Sequence, residues 1–318
     1  MSASVHVVVV NWNTGDYLRR CLASIARTDR DDVDIARVTV VDNGSSDHSL
    51  DDLDGLDLPL ELVRNRHNSG FAAACNEGAA GSTADYLLFL NPDTQLFADT
   101  LSVTTRFMES DGAAEVGICG TLVVDDHGCP TISCARFPTL RVMFGKMTGL
   151  HQVAPSLFPS HHLGSGELEK SRLVDQVIGA FYLVRRELFE LLGGFDTRFF
   201  LYFEEVDFAL RARQHGAGSY FLREARVLHA ENVSSSRVPA ARLYHSLRSR
   251  SRFAYKHWSR GQAHALLILT LTVELTGRLA RAALSRDRSQ MAETLSGYRR
   301  LVGEPVRGLE AASARRQP

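Results

Sequence analysis

The chain has 318 residues, 44% hydrophobic and 23% charged, with a formal net charge of −1 at pH 7, the balance of a globular protein long enough for a large core. From Arg237 onward there are 16 Lys/Arg against 5 Asp/Glu, which leaves 20 against 32 for residues 1–236, and an acidic body argues against a nucleic-acid partner. The 5 cysteines include no Cys-x-x-Cys pair, which speaks against zinc or redox work and for a reducing, cytoplasmic compartment; Met1–Val10 has no basic n-region and is not read as a signal peptide.

Val5–Val10 is a β-branched run that predicts a buried first strand, stopped by Asn11-Trp12-Asn13-Thr14-Gly15. Tyr17, Leu18, Cys21, Leu22 and Ile25 then fall at helical spacing. Val38–Asp42 predicts a second strand, ending in Asn43-Gly44-Ser45-Ser46-Asp47, and Leu60–Val63 a short third. The Ala-rich segment Ser69–Gly81 predicts a helix with Asn68 or Ser69 as N-cap. Tyr86–Leu90 predicts a strand buried on both faces, and Asn91-Pro92-Asp93 ends it because proline has no N–H for the ladder.

Strand, helix and strand at this spacing predict an α/β fold, a parallel sheet with helices on its faces. The strand ends would line up Asn11/Asn13, Asp42/Asn43 and Asn91/Asp93 on one edge, where open α/β sheets bind ligands. Neither a dinucleotide fingerprint nor a Walker lysine loop is present, so a nucleotide here would be held by side chains and a metal. Taken alone, Asp93 is either a ligand of a metal-bound diphosphate or a residue of an ordinary Asn-Pro turn.

Residues 115–125 predict one or two strands, and 126–175, with four prolines and His161-His162, reads as a lid or substrate loop with the histidines on its surface. Val177–Val184 returns to strand, with Gly179-Ala180 small enough for a ligand to approach. Arg185–Leu192 predicts a short helix, and Glu204-Glu205-Val206-Asp207 opens a helix to about His215. On the helical wheel Glu205 lies beside Phe208, Ala209 and Ala212, while Phe203, Val206 and Leu210 form the core stripe. A carboxylate over two alanines leaves room for a bound molecule and suits a general base; alternatively the first-turn acids only answer the helix dipole. Val227–His229 predicts a last strand whose histidine either completes a metal or phosphate site or is structural.

Together these segments resemble the inverting, GT-A-fold glycosyltransferases of family 2, in particular the bacterial rhamnosyltransferase-like enzymes of cell-wall and O-antigen assembly. The resemblance rests on Val9–Asn13, Val40–Asp47, Asn68–Asn76, Leu90–Asp93, Gly179-Ala180, Gly193–Asp196, Phe203–Arg211 and Leu228-His229, and runs over residues 5–235. It implies a Rossmann-like, mixed but mainly parallel sheet with flanking helices and a C-terminal helical segment. The catalytic domain would be 1–236, with a nucleotide-binding half (1–115) and an acceptor-binding half (116–236). It implies transfer of one sugar from a nucleotide-diphosphate donor, dTDP-rhamnose by resemblance, to a hydroxyl of a saccharide or lipid-linked acceptor, with Mg2+ or Mn2+. Carried over residue by residue, Asn11, Asn13, Asp42, Asn43, Asn68, Asn76 and Asn91 would bind the donor, and Asp93 and His229 the metal. Glu205 would be the base, with Glu204, Asp207, Gly179 and Ala180 supporting it or meeting the acceptor. Asn91 stands where the family has the first acid of Asp-x-Asp, and Glu205 replaces an Asp, which leaves Glu204 as the other candidate base. The Gln/Arg-x-x-Arg-Trp motif of processive synthases is absent, which implies one sugar per encounter. The alternative is a non-catalytic sugar-nucleotide-binding scaffold on the same fold.

In residues 237–303, Arg242, Arg248, Arg250, Arg252, Lys256 and Arg260 interleave with aromatic and leucine residues on a predicted helix. The apolar run 263–273 that follows is interrupted by Glu274, Arg278 and Arg281 and reads as too short to span a membrane. Leu267, Leu271, Leu275 and Leu279 form one stripe of it. Either these are basic amphipathic helices on the inner membrane surface, or they pack on the protein or in a homodimer. Residues 304–318 read as a disordered tail.

Overall fold

The computed structural model of the protein describes residues 2–230 and 238–310; the expected boundary at 236 and residues 311–318 of the expected tail lie outside them. The chain forms two compact units: Met1–Arg136, His162–Thr197 and Glu204–Ser234 make the first, and Phe137–His161, Arg198–Phe203 and Ser235–Pro318 the second. Two segments expected inside a continuous domain 1–236, residues 137–161 and 198–203, therefore belong to the second unit.

The first unit begins with β1 (Ala3–Asn11), α1 (Asp16–Ala26), β2 (Val33–Asp42), β3 (Leu60–Arg64), α2 (Phe71–Ala79), β4 (Tyr86–Leu90), β5 (Thr94–Leu96), α3 (Thr100–Met108), β6 (Val116–Val124) and β7 (Cys134–Ala135). The second unit then takes α4 (Leu140–Thr148) and α5 (Leu150–Val153), where the sequence had predicted a lid. The first resumes with β8 (Arg172–Val174), β9 (Gln176–Val177), β10 (Phe181–Arg185), α6 (Arg186–Leu191), α7 (Glu204–Gln214) and β11 (Gly218–His229).

Nine strands form one sheet in the order β3-β2-β1-β4-β10-β6-β11-β5, with β8 on β11, and β7 pairs β9 separately. β1, β2, β3 and β4 pair parallel, as do β6 and β11, while β10, β5 and β8 run against their neighbours. Six of the nine strands thus point one way, a mixed, mainly parallel sheet. Their shared direction puts the carboxyl ends of β1, β2, β4 and β11 on one edge, together with the start of β10.

The centre of this sheet is made by sequence that suits it. Val5, Val7, Val9, Leu88 and Leu90 are buried with Leu18, Leu22 and Ile25 of α1 in one cluster, and burying such a side chain contributes about 1.5–3 kcal/mol. On α2, a Cβ at Gly78 would lie 2.6 Å from Val8 Cγ1 and 2.8 Å from Val41 Cγ2, so the missing side chain is what lets this helix lie against the strands. The N-cap of α2 is Gly70, not Asn68 or Ser69. Asn68 Oδ1 instead accepts from the Gly70 N–H, and the Ser69 hydroxyl donates to Asn43.

β11 bends where the register jumps between Leu222 and Arg226. The extra residues form a bulge of the kind that re-aims a strand, and beyond it Val227, Leu228 and His229 pair with Leu96, Gln95 and Thr94 of β5.

The second unit continues with α8 (Pro239–His257), α9 (Arg260–Leu269), a π-helical turn at Thr270–Glu274, α10 (Leu275–Leu284), α11 (Arg288–Val302) and α12 (Val306–Glu310). Its cores gather Val142, Met143, Ala254 and Leu266, and separately Leu247, Tyr298 and Leu301. Three expectations change here. The arginines of α8 do not form an exposed basic face: Arg248 and Arg252 pair with Glu304, and Arg250 with Glu274, their side chains 22%, 15% and 11% exposed. The leucine stripe points inward, since Leu267, Leu271 and Leu275 pack on the cores. Glu274 and Arg278 do not end the helix, because Glu274 pairs with both Arg278 and Arg250. Arg260–Leu284 is therefore one helix of 25 residues, long and apolar enough by length and composition to cross a membrane. The expected tail is also ordered at its start, since Glu304 is ion-paired and α12 follows.

Candidate active site

At the carboxyl end of β1, Asn11 is fully buried and its amide is fully used. Nδ2 donates to Asp42 Oδ1, Ser45 Oγ and Ser49 Oγ, and Oδ1 accepts from the Thr14 hydroxyl. Asp42, 4% exposed, accepts in turn from the Ser45 hydroxyl and N–H. Asn43 donates to the Gly70 carbonyl and accepts from Asn65 and Ser69. Three residues expected to touch a nucleoside are thus tied to each other. They shape the loops after β1, β2 and β3, and Ser45, Ser49 and Thr14 are partners that the sequence reading did not single out. Asn13, half-buried at φ 52°, accepts from the Ser46 N–H and is the member of this row that lies nearer the surface.

The Asn91-Pro92-Asp93 corner meets β11 and β10. The Asn91 N–H and the Thr94 hydroxyl donate to the Ala180 carbonyl, which anchors the corner to the start of β10. Ala180 is buried and serves through its backbone, while at Gly179 an added Cβ would meet open space. His229 Nε2 lies 3.1 Å from Asp93 Oδ1 and 3.5 Å from Asn91 Nδ2. His229 Nδ1 is buried without a hydrogen-bond partner among the described residues. Neighbouring ligands of an octahedral cation with bonds of about 2.1 Å stand about 3 Å apart, so Asp93 and His229 fit two adjacent positions around a divalent ion. No cluster of three or more His, Cys, Asp or Glu able to hold a metal occurs among the described residues; further ligands would have to come from a bound molecule such as a diphosphate.

The acidic start of α7 is more closed than its sequence implied. Phe208, Ala209 and Ala212 are buried, and Phe208 sits in an aromatic cluster, 5.4 Å from both Phe189 and Phe195 and 6.3 Å from Tyr182. Ala209 and Ala212 are themselves 1% and 0% exposed, so the room expected for a ligand beside them is closed. Glu204 is 5% exposed, and burial, then the neighbouring Glu205 carboxyl, hold its pKa well above the ordinary carboxylate range. Glu205 is half-buried, and its backbone carbonyl accepts from the Tyr182 hydroxyl. Cys75 and Tyr182, neither singled out from sequence, flank the acidic pair. Burial, reinforced by these glutamates, pushes both pKa values well up. Two adjacent carboxyls away from water share one proton more readily than they both ionise.

Two side chains clamp the loop before α7. Asn76 donates through Nδ2 to the Phe195 carbonyl and accepts at Oδ1 from the Phe195 N–H, at 2.8 and 2.9 Å. Both ends of its amide are therefore engaged by the loop. Gly194 has φ 75°, and a Cβ there would lie 2.7 Å from Asn76 Oδ1. Arg211 donates to the carbonyls of Leu192 and Gly194 and to fully buried Asp207 at 2.8 Å. Asp207 therefore orients Arg211. The signal for this in sequence was the i,i+4 pairing of an acid and an arginine on one helix.

Residues 6–148 match the model of the family described as "Glycosyl transferase family 2". The chain is 29% identical over 316 residues to the N-acetylglucosaminyl-diphospho-decaprenol L-rhamnosyltransferase of Mycobacterium tuberculosis, covering 93% of this chain and 99% of that one. It is 27% identical over 232 residues to the rhamnosyltransferase WbbL of Escherichia coli, covering 71% and 83%. In fold it resembles a mannosyltransferase from Pyrobaculum calidifontis solved with GDP-Man and Mn2+, with a TM-score of 0.56 at 18% identity, over 98% of this chain and 84% of that one. It also resembles Staphylococcus aureus TarS 1–349, with a TM-score of 0.54 at 15% identity, over 98% and 83%. With its GT-A sheet, its match to the family model from β1 to α4 and its rhamnosyltransferase relatives, the chain carries a family 2 glycosyltransferase domain over residues 6–148.

Proposed function

We propose that this glycosyltransferase moves one rhamnosyl unit from dTDP-rhamnose to a hydroxyl of a polyprenyl-diphosphate-linked saccharide, in a single displacement that inverts the anomeric carbon. The observation that carries this reading is the meeting of Asn91, Asp93 and His229 at the carboxyl edge of the sheet. The relative named for a rhamnosyl transfer to such a lipid-linked acceptor aligns along 93% of the chain, which supports the choice of sugar and acceptor.

Asp93 and His229 would hold a divalent ion, Mg2+ or Mn2+, which as a Lewis acid stabilises the departing diphosphate. Asn91 would orient a diphosphate oxygen through its amide. Asn13 would meet the nucleoside, on a loop set by the Asn11–Asp42 and Asn43 networks. Glu205 would take the proton of the attacking hydroxyl as the new C–O bond forms and the bond to the nucleoside diphosphate breaks. Glu204, keeping its proton, would hold Glu205 as the ionised member of the pair. We place the enzyme in the cytoplasm, at the inner face of the membrane that carries such an acceptor.

The test is turnover of dTDP-rhamnose, UDP-N-acetylglucosamine and GDP-mannose, each with Mn2+ or with EDTA, in the presence of N-acetylglucosaminyl-diphospho-polyprenol. Mass spectrometry should find one added deoxyhexose, dependent on the metal. Nucleotide binding with neither transfer nor donor hydrolysis would instead identify a sugar-nucleotide-binding scaffold.

A further inference from the structure

Within the second unit, α4, α8, α10 and α11 bring charges together where the helix Arg260–Leu284 widens into its π-helical turn. The two ends of that turn both hold Arg250 of α8: Nη2 donates to the Thr270 hydroxyl at 2.8 Å and to Glu274 Oε2. Arg278, one turn further along, donates to Glu274 Oε1 through Nε at 3.1 Å and through Nη2 at 2.9 Å. Glu274 is 9% exposed, and both of its oxygens are engaged by these two guanidinium groups. Lys146 of α4 feels all three charges. Loss of water around its ammonium, then the charge of Arg250, lowers its pKa; Glu274 opposes the shift and Arg278 adds to it.

Three cations share one carboxylate, so among the described residues the cluster keeps an excess of positive charge. Arg250 Nε is also buried without a hydrogen-bond partner among the described residues, and Tyr298 of α11, 3% exposed, borders Glu274 and both arginines. A buried ion pair kept only for stability would be neutral and fully bonded. Access is from the side of Lys146, which is exposed, and of Arg278, whose side chain is 41% exposed and keeps Nη1 outside its bonds to Glu274. Glu274 lies near the middle of Arg260–Leu284, and a cluster of this charge at mid-bilayer would be costly. On a membrane surface the same cluster would sit at headgroup level, on the helix that exposes Ile268 and Leu284.

We infer that Lys146, Arg250 and Arg278 form a binding site for the phosphate or diphosphate headgroup of a membrane lipid. The Lys146 ammonium and Arg278 Nη1 meet the phosphate oxygens, and Arg250, held by Thr270 and Glu274, supplies charge behind them. Filling the site relieves the repulsion among the three cations. The inference rests on the proposed function only for the identity of the lipid, a polyprenyl-diphosphate acceptor being one such lipid; anion binding itself needs no turnover.

The full-length protein is titrated calorimetrically with inorganic diphosphate, in a phosphate-free buffer of low salt with EDTA, as wild type, Lys146→Gln, Arg278→Gln and Asp93→Ala. Lys146→Gln and Arg278→Gln should each weaken diphosphate by about 10-fold or more, the worth of one hydrogen bond between charged groups, while Asp93→Ala binds it like the wild type. Without diphosphate, Lys146→Gln should keep or raise the wild-type Tm, because it removes a repelled charge. No binding by the wild type, unchanged binding in either basic variant, a loss confined to Asp93→Ala, or a lower Tm in Lys146→Gln would each overturn the inference. Co-sedimentation with vesicles then names the source of the headgroup. Lys146→Gln should lose binding to phosphatidylcholine vesicles carrying N-acetylglucosaminyl-diphospho-polyprenol if the site takes the acceptor, and to phosphatidylglycerol vesicles if it takes bulk anionic lipid. Equal binding of wild type and variant to both would overturn the assignment to a lipid. A protein that binds diphosphate in this way and transfers no sugar would sink the glycosyl-transfer reading and leave the site standing.

Discussion

Asp93 Oδ1 and His229 Nε2 meet at 3.1 Å although 136 positions separate them in the chain. The contact exists because β5 leaves the Asn-Pro-Asp corner and pairs with the last three residues of β11, and β11 reaches it by bending at its bulge. One carboxylate and one imidazole are a lean ligand set, so binding of the ion and of a nucleotide diphosphate should depend on each other. His229→Ala should weaken Mn2+ by at least about 10-fold, and Asp93→Ala should remove Mn2+-dependent binding of dTDP. Calorimetric titration of Mn2+ with dTDP present reads both, and unchanged isotherms would exclude the pair as ligands.

The two glutamates should separate by role. Glu205→Gln should lower kcat by about 10²–10⁴-fold, the usual worth of a general base, with dTDP affinity retained. Glu204→Gln keeps a neutral donor beside Glu205 and should lose much less. Comparable losses in both variants, or the larger loss at Glu204, would reverse the assignment.

The raised pKa of Glu204 has a consequence for stability. The folded state holds this proton at pH values where the unfolded chain has lost it, so this group's contribution falls as pH rises above the unfolded value, by up to about 1.4 kcal/mol per pH unit until the folded pKa is passed. Glu204→Gln removes that loss. Its Tm should match the wild type near pH 4.5 and exceed it at pH 8. A wild type that gains stability relative to Glu204→Gln as pH rises would show that Glu204 ionises readily in the fold.

Asn76→Ala should destabilise the protein by about 1–3 kcal/mol, because both backbone groups of Phe195 lose their partner in a closed environment. It should leave the affinity for dTDP unchanged, since the amide is committed to the loop. Urea unfolding gives the first quantity and calorimetry the second; a large loss of dTDP affinity with full stability would return Asn76 to the donor site. Gly194→Ala should act in the same direction, through its contact with Asn76 Oδ1.

If the protein works at an anionic membrane surface, the contact should come from the outward side of Arg260–Leu284, where Ile268 and Leu284 are 61% and 86% exposed. Ile268→Asp combined with Leu284→Asp should reduce co-sedimentation with phosphatidylglycerol vesicles by about 10-fold or more, given about 1.5–3 kcal/mol per buried large apolar side chain, and leave Tm unchanged. Equal vesicle binding by the variant would exclude this face.

Much of the first unit was legible in the sequence. β1, α1, β4, α7 and the short β3 announce themselves through β-branched runs, helical spacing and the proline at 92, all of which act over a few residues. β5 and α3 were not singled out, and β5 is only three residues long; its partner lies more than a hundred residues away. The segment 126–175 looked like a lid because prolines and polar residues hide the short helices α4 and α5; Val142 and Met143 of α4 lie in the second unit's own core. The alanines of α7 looked like room for a ligand because a helical wheel shows which residues share a face, and not what that face meets.

The sequence by itself determined the order of elements from β1 to β4, the edge on which Asn11, Asp42, Asn91 and Asp93 would gather, and the acidic start of α7. Those follow from local rules: side-chain branching, residue spacing and the missing N–H of proline. Only the tertiary structure decided which partners each of these polar groups meets. Asn11, Asp42, Asn43 and Asn76 are engaged by partners between 3 and 119 positions away, whereas Asn91, Asp93 and His229 converge on one another. The chemistry of a polar side chain is set by its type, but its availability is set by where the rest of the chain brings its partners.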